Sequence, residues 1–285
     1  MTRVIVAVLV TLGVITTVPA HAELPASVAV IDSGQPNSLF NNIVGEYCVV
    51  EYFSCPNGKS TMDGAGASNI APSTNAALSH GTEMNSIINK IEPNAKIVSV
   101  RIVGITNLGN PAVYTNQAVK LALDWVIANQ TKYNIKVVSI SQGRIFAGCA
   151  VPDGLVADVT ALVNLGVSVV ASTGNDGNRT AISAPACLPG VISVGATDNP
   201  DAGTTGKTWD PTAKPVIANY SNGNAQTTYY TNARYNVLEP NGTTHFMVGT
   251  SNATAAMAAF LLHHTVTTTG IATNQWLTGK YVFIG

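Results

Sequence analysis

The chain has 285 residues, 46% of them hydrophobic and only 10% charged, which is enough apolar side chain for a large core and far from the composition of a disordered segment. A formal net charge of -1 and the lack of any Lys/Arg cluster exclude the electrostatic footprint of a nucleic-acid binder or of a protein held on an anionic membrane surface. One compact domain is expected.

At the N-terminus, Arg3 precedes an apolar run from Val4 to about Val18, and Ala20-His-Ala22 follows as a small-residue cleavage site. Residues 1–22 therefore read as a secretory signal and residues 23–285 as the folded domain. Gly13, Thr16 and Thr17 interrupt the run, which is short of the roughly 20 residues a membrane span needs, so no stable membrane association is expected after signal removal. Export implies a secreted or periplasmic protein in an oxidising compartment. There, the even set Cys48, Cys55, Cys149 and Cys187 favours two disulfides over metal binding, with three pairings open.

Val- and Ile-rich runs at Val28–Ile31, Lys96–Val103, Lys136–Ile140, Val167–Ala171 and Val191–Val194 read as buried strands. Between them, Met84/Ile87/Ile88/Ile91, Ala118/Leu121/Ala122/Trp125 and Leu155/Val159/Leu162/Val163 repeat at helical spacing, with Gly166 placed as a C-terminal cap. Alternating strands and helices predict an α/β fold, a single domain whose parallel β-sheet carries helices on both faces. In such sheets ligands bind beyond the carboxyl ends of the strands. Asp32 and Asn175 follow strands, and His80 and Ser251 open helices, so all four fall at that edge. The polar stretch from Gly34 to Ser79 reads as one elaborated loop.

Four short segments then carry the chemistry. Singly, Asp32-Ser-Gly34 is an ordinary turn, His80-Gly-Thr82 a histidine near a helix start, and Gly249-Thr-Ser-Asn-Ala253 a helix cap. Together an acid, a base and a hydroxyl in the order Asp32, His80, Ser251 form the constellation for acyl transfer. With Ala171-Ser-Thr-Gly-Asn175 lying between the histidine and the serine, the chain resembles the subtilisin family of serine proteases (subtilases, peptidase family S8) from about Val28 to the helix after Ser251.

The resemblance implies that Ser251 is the nucleophile, His80 the general base and Asp32 the group that orients it, with the Asn175 side chain and the Ser251 backbone N–H as oxyanion donors. It also implies that Ser141-Gln142-Gly143 forms a pocket wall and Asn107-Leu108-Gly109 an edge that pairs with extended peptide. Protein or peptide substrates and a monomeric enzyme follow. Cys48 and Cys55 share one polar loop, while Cys149 and Cys187 each follow a pocket segment, so the pairs Cys48–Cys55 and Cys149–Cys187 are expected. No cofactor or metal ligand set is expected; family members often hold calcium, but no dense Asp/Glu loop is visible. Many secreted subtilisins carry a long prodomain. Here only Glu23-Leu-Pro-Ala-Ser27 would precede the first strand, so maturation without a prodomain is the expectation.

The family usually has Met-Ala-x-Pro after the serine and His-Val-Ala-Gly after the His-Gly-Thr, where this chain has Asn252-Ala-Thr-Ala255 and Glu83-Met-Asn-Ser86. Asn85 and Asn252 are therefore unusual neighbours, though no atom of the chemistry is lost. The rivals are an inactive peptide-binding relative and an esterase using the same triad. A lipase elbow is excluded because Ala253 stands where glycine is required and the acid precedes the serine. Gly64-Ala-Gly66 lacks the third glycine of a dinucleotide motif, and His263-His264, with no metal-ligand spacing, read as the last turn of a helix.

Overall fold

The computed structural model describes residues 24–51, 54–70, 76–104, 115–198 and 215–284. Five strands coincide with the five apolar runs: β1 (Ser27–Asp32), β4 (Lys96–Arg101), β5 (Ile135–Ile140), β6 (Ser168–Ser172) and β7 (Ile192–Asp198). They lie in the order β4-β1-β5-β6-β7 and pair in parallel. Each is apolar on both faces because helices cover both faces.

The alternation along β1 shows the two-sided burial. Val28 and Val30 join one core cluster with Met84, Ile87 and Ile88 of α1 (Ala76–Ile91) and the alanines of α4 (Thr250–Leu261). Ala29 and Ile31 join the opposite cluster with Ala118, Ala122 and Leu123 of α2 (Asn116–Asn129) and Leu155, Val159 and Leu162 of α3 (Leu155–Asn164). Each large aliphatic side chain so buried contributes about 1.5–3 kcal/mol relative to exposure. Helix α4 is buried along Thr250–Ala259, and its small residues let it lie close against the sheet and against α1. Gly166 adopts φ +75° just past α3, as a C-terminal cap requires.

Two readings change, and the sheet runs further than the five apolar runs. The stretch from Gly34 to Ser79 is not only loop: β2 (Ile43–Val49) extends the sheet beside β4, and β3 (Thr61–Asp63) pairs antiparallel with β2. The buried carboxylate of Glu46 lies inside β2 and takes hydrogen bonds from Asn37 Nδ2 (2.9 Å), Ser68 Oγ (2.8 Å) and the Gly66 N–H (2.6 Å), which ties the loop down. At the other end, the sheet continues through β8 (Val216–Ile217), β9 (Tyr229–Asn232), β12 (Gly270–Thr273) and β13 (Thr278–Tyr281), while β10 (Arg234–Leu238) and β11 (Thr244–Val248) form a separate hairpin. His263 and His264 lie beyond the end of α4, not in its last turn, and His264 stacks on Phe260 with centroids 5.1 Å apart.

The disulfides are Cys48–Cys55 and Cys149–Cys187, with Cα separations of 5.9 and 6.1 Å. The second joins the loop after β5 to the loop after β6.

Candidate active site

Asp32 is the last residue of β1, and its side chain is 1% exposed. His80 sits one turn inside α1 rather than at its start. Its Nδ1 lies 2.9 Å from each Asp32 oxygen, so Nδ1–H donates to the carboxylate and Nε2 is left as the free acceptor. The Ser33 N–H donates to Asp32 Oδ1 at 2.7 Å. Burial of the imidazole favours its neutral form, but the charge of Asp32, the hydrogen bond to it and the charge of Glu83 outweigh burial and push the His80 pKa above its ordinary 6.5.

Two turn motifs interlock to bring these groups together. The Ser33 hydroxyl donates to Leu78 O and accepts from the Gly81 N–H, both at 2.9 Å. Gly34 has φ +86°, and a Cβ there would stand 2.2 Å from Ser68 O. A Cβ on Gly81 would stand 2.4 Å from Gly34 O. The second residue after the aspartate and the residue after the histidine are glycines because backbone packs on backbone there.

Ser251 is the second residue of α4, in the first turn, where backbone N–H groups have no intrahelical acceptor. The Asn175 Oδ1 accepts from the Thr250 N–H and the Thr250 hydroxyl, each at 2.9 Å, so the amide is clamped by its oxygen. Its NH2 makes no hydrogen bond among the described residues and lies at Gly249, where a Cβ would meet Nδ2 at 3.7 Å. The arrangement leaves an N–H from Asn175 and one from Ser251 at the positive end of a helix.

The Ser251 hydroxyl donates to Ser141 O and the Ser141 hydroxyl to Ser251 O, both at 3.2 Å. Among the described residues no hydrogen bond joins Ser251 to His80, so the acid–base pair is formed and the serine rests on the neighbouring carbonyl. The segment from Ser141 continues through Gly143 to Arg144, which pairs with Ala184 in a small antiparallel bridge (N–H to O distances 3.3 and 2.8 Å). Asn107, Leu108 and Gly109 lie outside the described residues.

Sequence reasoning missed a support for Asn175. The fully buried Asn222 accepts from the Asp176 and Asn178 N–H groups (3.0 and 2.8 Å) and donates to Thr173 O and Asp176 Oδ2 (3.0 and 2.9 Å), holding the loop that presents Asn175. No motif marks it, since it lies in a loop far along the chain. Asn252 also proves structural: its amide donates to Ala233 O (3.1 Å) and Met247 O (3.0 Å), fastening α4 to the hairpin. Asn85 Oδ1 is buried with no hydrogen-bond partner among the described residues.

Among the described residues, one group could hold a cation: Glu83, Glu239 and His245 bring a ligand atom each to within 4.8 Å of the others. His245 Nδ1 pairs with Glu239 at 2.8 Å. Ser79 donates to Glu83 at 2.7 Å, and burial pushes the Glu83 carboxyl up despite that bond.

A doubly covered parallel sheet with an acid, an imidazole and a serine hydroxyl gathered at the carboxyl ends of its strands is the architecture of an α/β serine hydrolase. Residues 26–267 match the subtilase family, and the chain belongs to it. It is 30% identical over 172 residues to the minor extracellular protease Epr of Bacillus subtilis, a match covering 60% of this chain and 23% of Epr. A cuticle-degrading serine protease of Arthrobotrys oligospora is 28% identical over 141 residues, covering 50% of this chain and 30% of that protein. The aligned stretch is thus less than a third of each curated relative. The fold is shared with a cold adapted subtilisin-like serine proteinase at TM-score 0.65 and 18% identity, over 92% of this chain and 90% of that one. Among the described residues no helix is long and apolar enough to cross a membrane.

Proposed function

We propose that this chain is an exported serine endopeptidase, with residues 1–22 as its signal and residues 23–285 as its catalytic domain. In this mechanism Ser251 attacks the scissile carbonyl and His80 Nε2 takes its proton, then delivers it to the leaving amine. Asp32 fixes the Nδ1–H tautomer and stabilises the imidazolium. Asn175 Nδ2 and the Ser251 N–H receive the negative charge on the carbonyl oxygen, and water then hydrolyses the acyl-enzyme by the same proton route.

The observation that carries this proposal is the Asn175 clamp. Its oxygen is committed to Thr250, so its donor end, which makes no hydrogen bond among the described residues, lies at the first turn of the helix bearing Ser251. Proton transfer requires the Ser251 hydroxyl to leave Ser141 O for His80, and such contacts commonly tighten only when substrate binds. Peptide substrates and an extracytoplasmic site of action agree with the name of the Bacillus relative, an extracellular protease.

Hydrolysis of an unfolded protein substrate by the purified chain, set beside Ser251→Ala, tests the proposal. Turnover lost in Ser251→Ala with unchanged folding supports it. Turnover of esters with none of peptides would favour the esterase, and peptide binding without turnover the inactive relative.

A further inference from the structure

The geometry points to Gln142 as a positioning residue that acts through Asp32, beyond the pocket-wall role of its segment; this rests on the triad proposed above. Its neighbour Ser141 is bonded to Ser251, and its other neighbour Gly143 leads into the bridge with Ala184. In such a run successive side chains alternate in direction. The Gln142 side chain turns to the acid–base pair, where Nε2 donates to Asp32 Oδ1 at 3.1 Å and lies 3.1 Å from His80 Nδ1.

The second contact joins two nitrogens. With Nδ1–H given to Asp32, both are donors, and their approach is the result of two N–H groups converging on one carboxylate. Asp32 therefore takes donors from three parts of the chain: Ser33 after β1, His80 on α1 and Gln142 after β5. Oδ1 takes all three, so the carboxylate's orientation is set from three sides.

Two effects follow. Gln142 restricts the torsion of the carboxylate that aligns the imidazole, and it draws on the negative charge that favours imidazolium, keeping the base more readily neutral. The charged groups that face His80 are Asp32 from β1 and Glu83 from its own helix, so Gln142 is a neutral donor that moderates an otherwise anionic surround. At 3.1 Å its bond is longer than the 2.7 and 2.9 Å of the other two donors, which puts the effect at the weaker end.

The test is a pH profile of kcat and KM for wild type, Gln142→Met and Gln142→Glu, with thermal melting of each. Gln142→Met keeps the shape and removes the donor. It should lower kcat by about tenfold, the scale of one charged hydrogen bond, with KM within about twofold. Its acid limb should move up by roughly half a unit. Gln142→Glu should move the limb further in the same direction. In an Asp32→Asn background the Gln142→Met effect should disappear, because the two act as a unit. A rise in KM alone, an unmoved limb, or the same loss in the Asp32→Asn background would overturn the assignment and return Gln142 to the pocket wall. Failure of the triad itself would show separately, as a wild-type protein that no organophosphorus serine reagent modifies.

Discussion

Substituting Gly81 by alanine should uncouple the two catalytic motifs. The added Cβ would stand 2.4 Å from Gly34 O, 2.9 Å from Gly34 N and 3.1 Å from Ser33 Oγ, all at the turn that follows Asp32. Side-chain carbons do not approach backbone oxygen closer than 3.0 Å, so α1 must withdraw from β1 by about 0.6 Å. The displaced stretch carries His80, whose 2.9 Å bond to Asp32 would lengthen past good geometry, and the Gly81 N–H to Ser33 bond would stretch with it. Overpacking of this kind costs about 1–3 kcal/mol. Replacing a mid-helix glycine by alanine returns up to about 1 kcal/mol, so the net effect is a loss of about 1 kcal/mol. In a chain of this size that lowers Tm by roughly 2–4 °C. A misplacement near 1 Å costs about a hundredfold in rate, so a shift of about half that should reduce kcat/KM some tenfold or more. Peptide hydrolysis and thermal melting on the same preparation measure both. If Gly81→Ala melts like wild type and keeps kcat/KM within twofold, the close backbone contact does not position the histidine and the reasoning is wrong.

Asn175→Asp keeps the acceptor for Thr250 and removes the donor, so kcat should fall by about 10² to 10³, a range carried over from subtilisin itself, while KM changes little; a loss confined to KM would make Asn175 a substrate contact. Because the His80 pKa is raised, with Asp32 and Glu83 outweighing burial, the proton-accepting form is lost as pH falls through a value above 6.5. The acid limb of kcat/KM should lie there and move down in Glu83→Gln, and a limb at or below 6.5 would contradict the electrostatics. The disulfides span 38 and 7 residues of sequence, so loop entropy assigns about 4 kcal/mol to Cys149–Cys187 and about 2.5 kcal/mol to Cys48–Cys55. Paired alanine substitutions compared by denaturant unfolding should show that order, and the reverse order would mean that strain or denatured-state structure dominates.

The five central strands were legible because burial on both faces leaves an unbroken apolar run, as in Val28–Ile31. Strand β2 was not, since its buried Glu46 reads as loop while serving as the acceptor that ties the Gly34–Ser68 segment down. The strands after β7 are rich in Thr, Tyr and Asn, and several are half exposed, so no apolar period announces them. At the site, Asp32, His80, Asn175 and Ser251 could be read because each belongs to a short local motif at the end of a strand or near the start of a helix. Asn222 and the inward turn of Gln142 could not, because both depend on which loops the fold brings side by side. His80 read as a helix start because the apolar period begins at Met84, whereas the helix begins at Ala76.

The measurement that tests the central claim most directly is covalent modification of the folded protein by a fluorophosphonate, with the adduct located by peptide mass spectrometry. Reaction requires an activated serine and an oxyanion site, but no knowledge of the natural substrate. The account predicts one adduct, on Ser251, formed slowly in His80→Ala and not at all in Ser251→Ala. A folded wild-type protein that stays unmodified, or that carries the adduct on another serine, would contradict it.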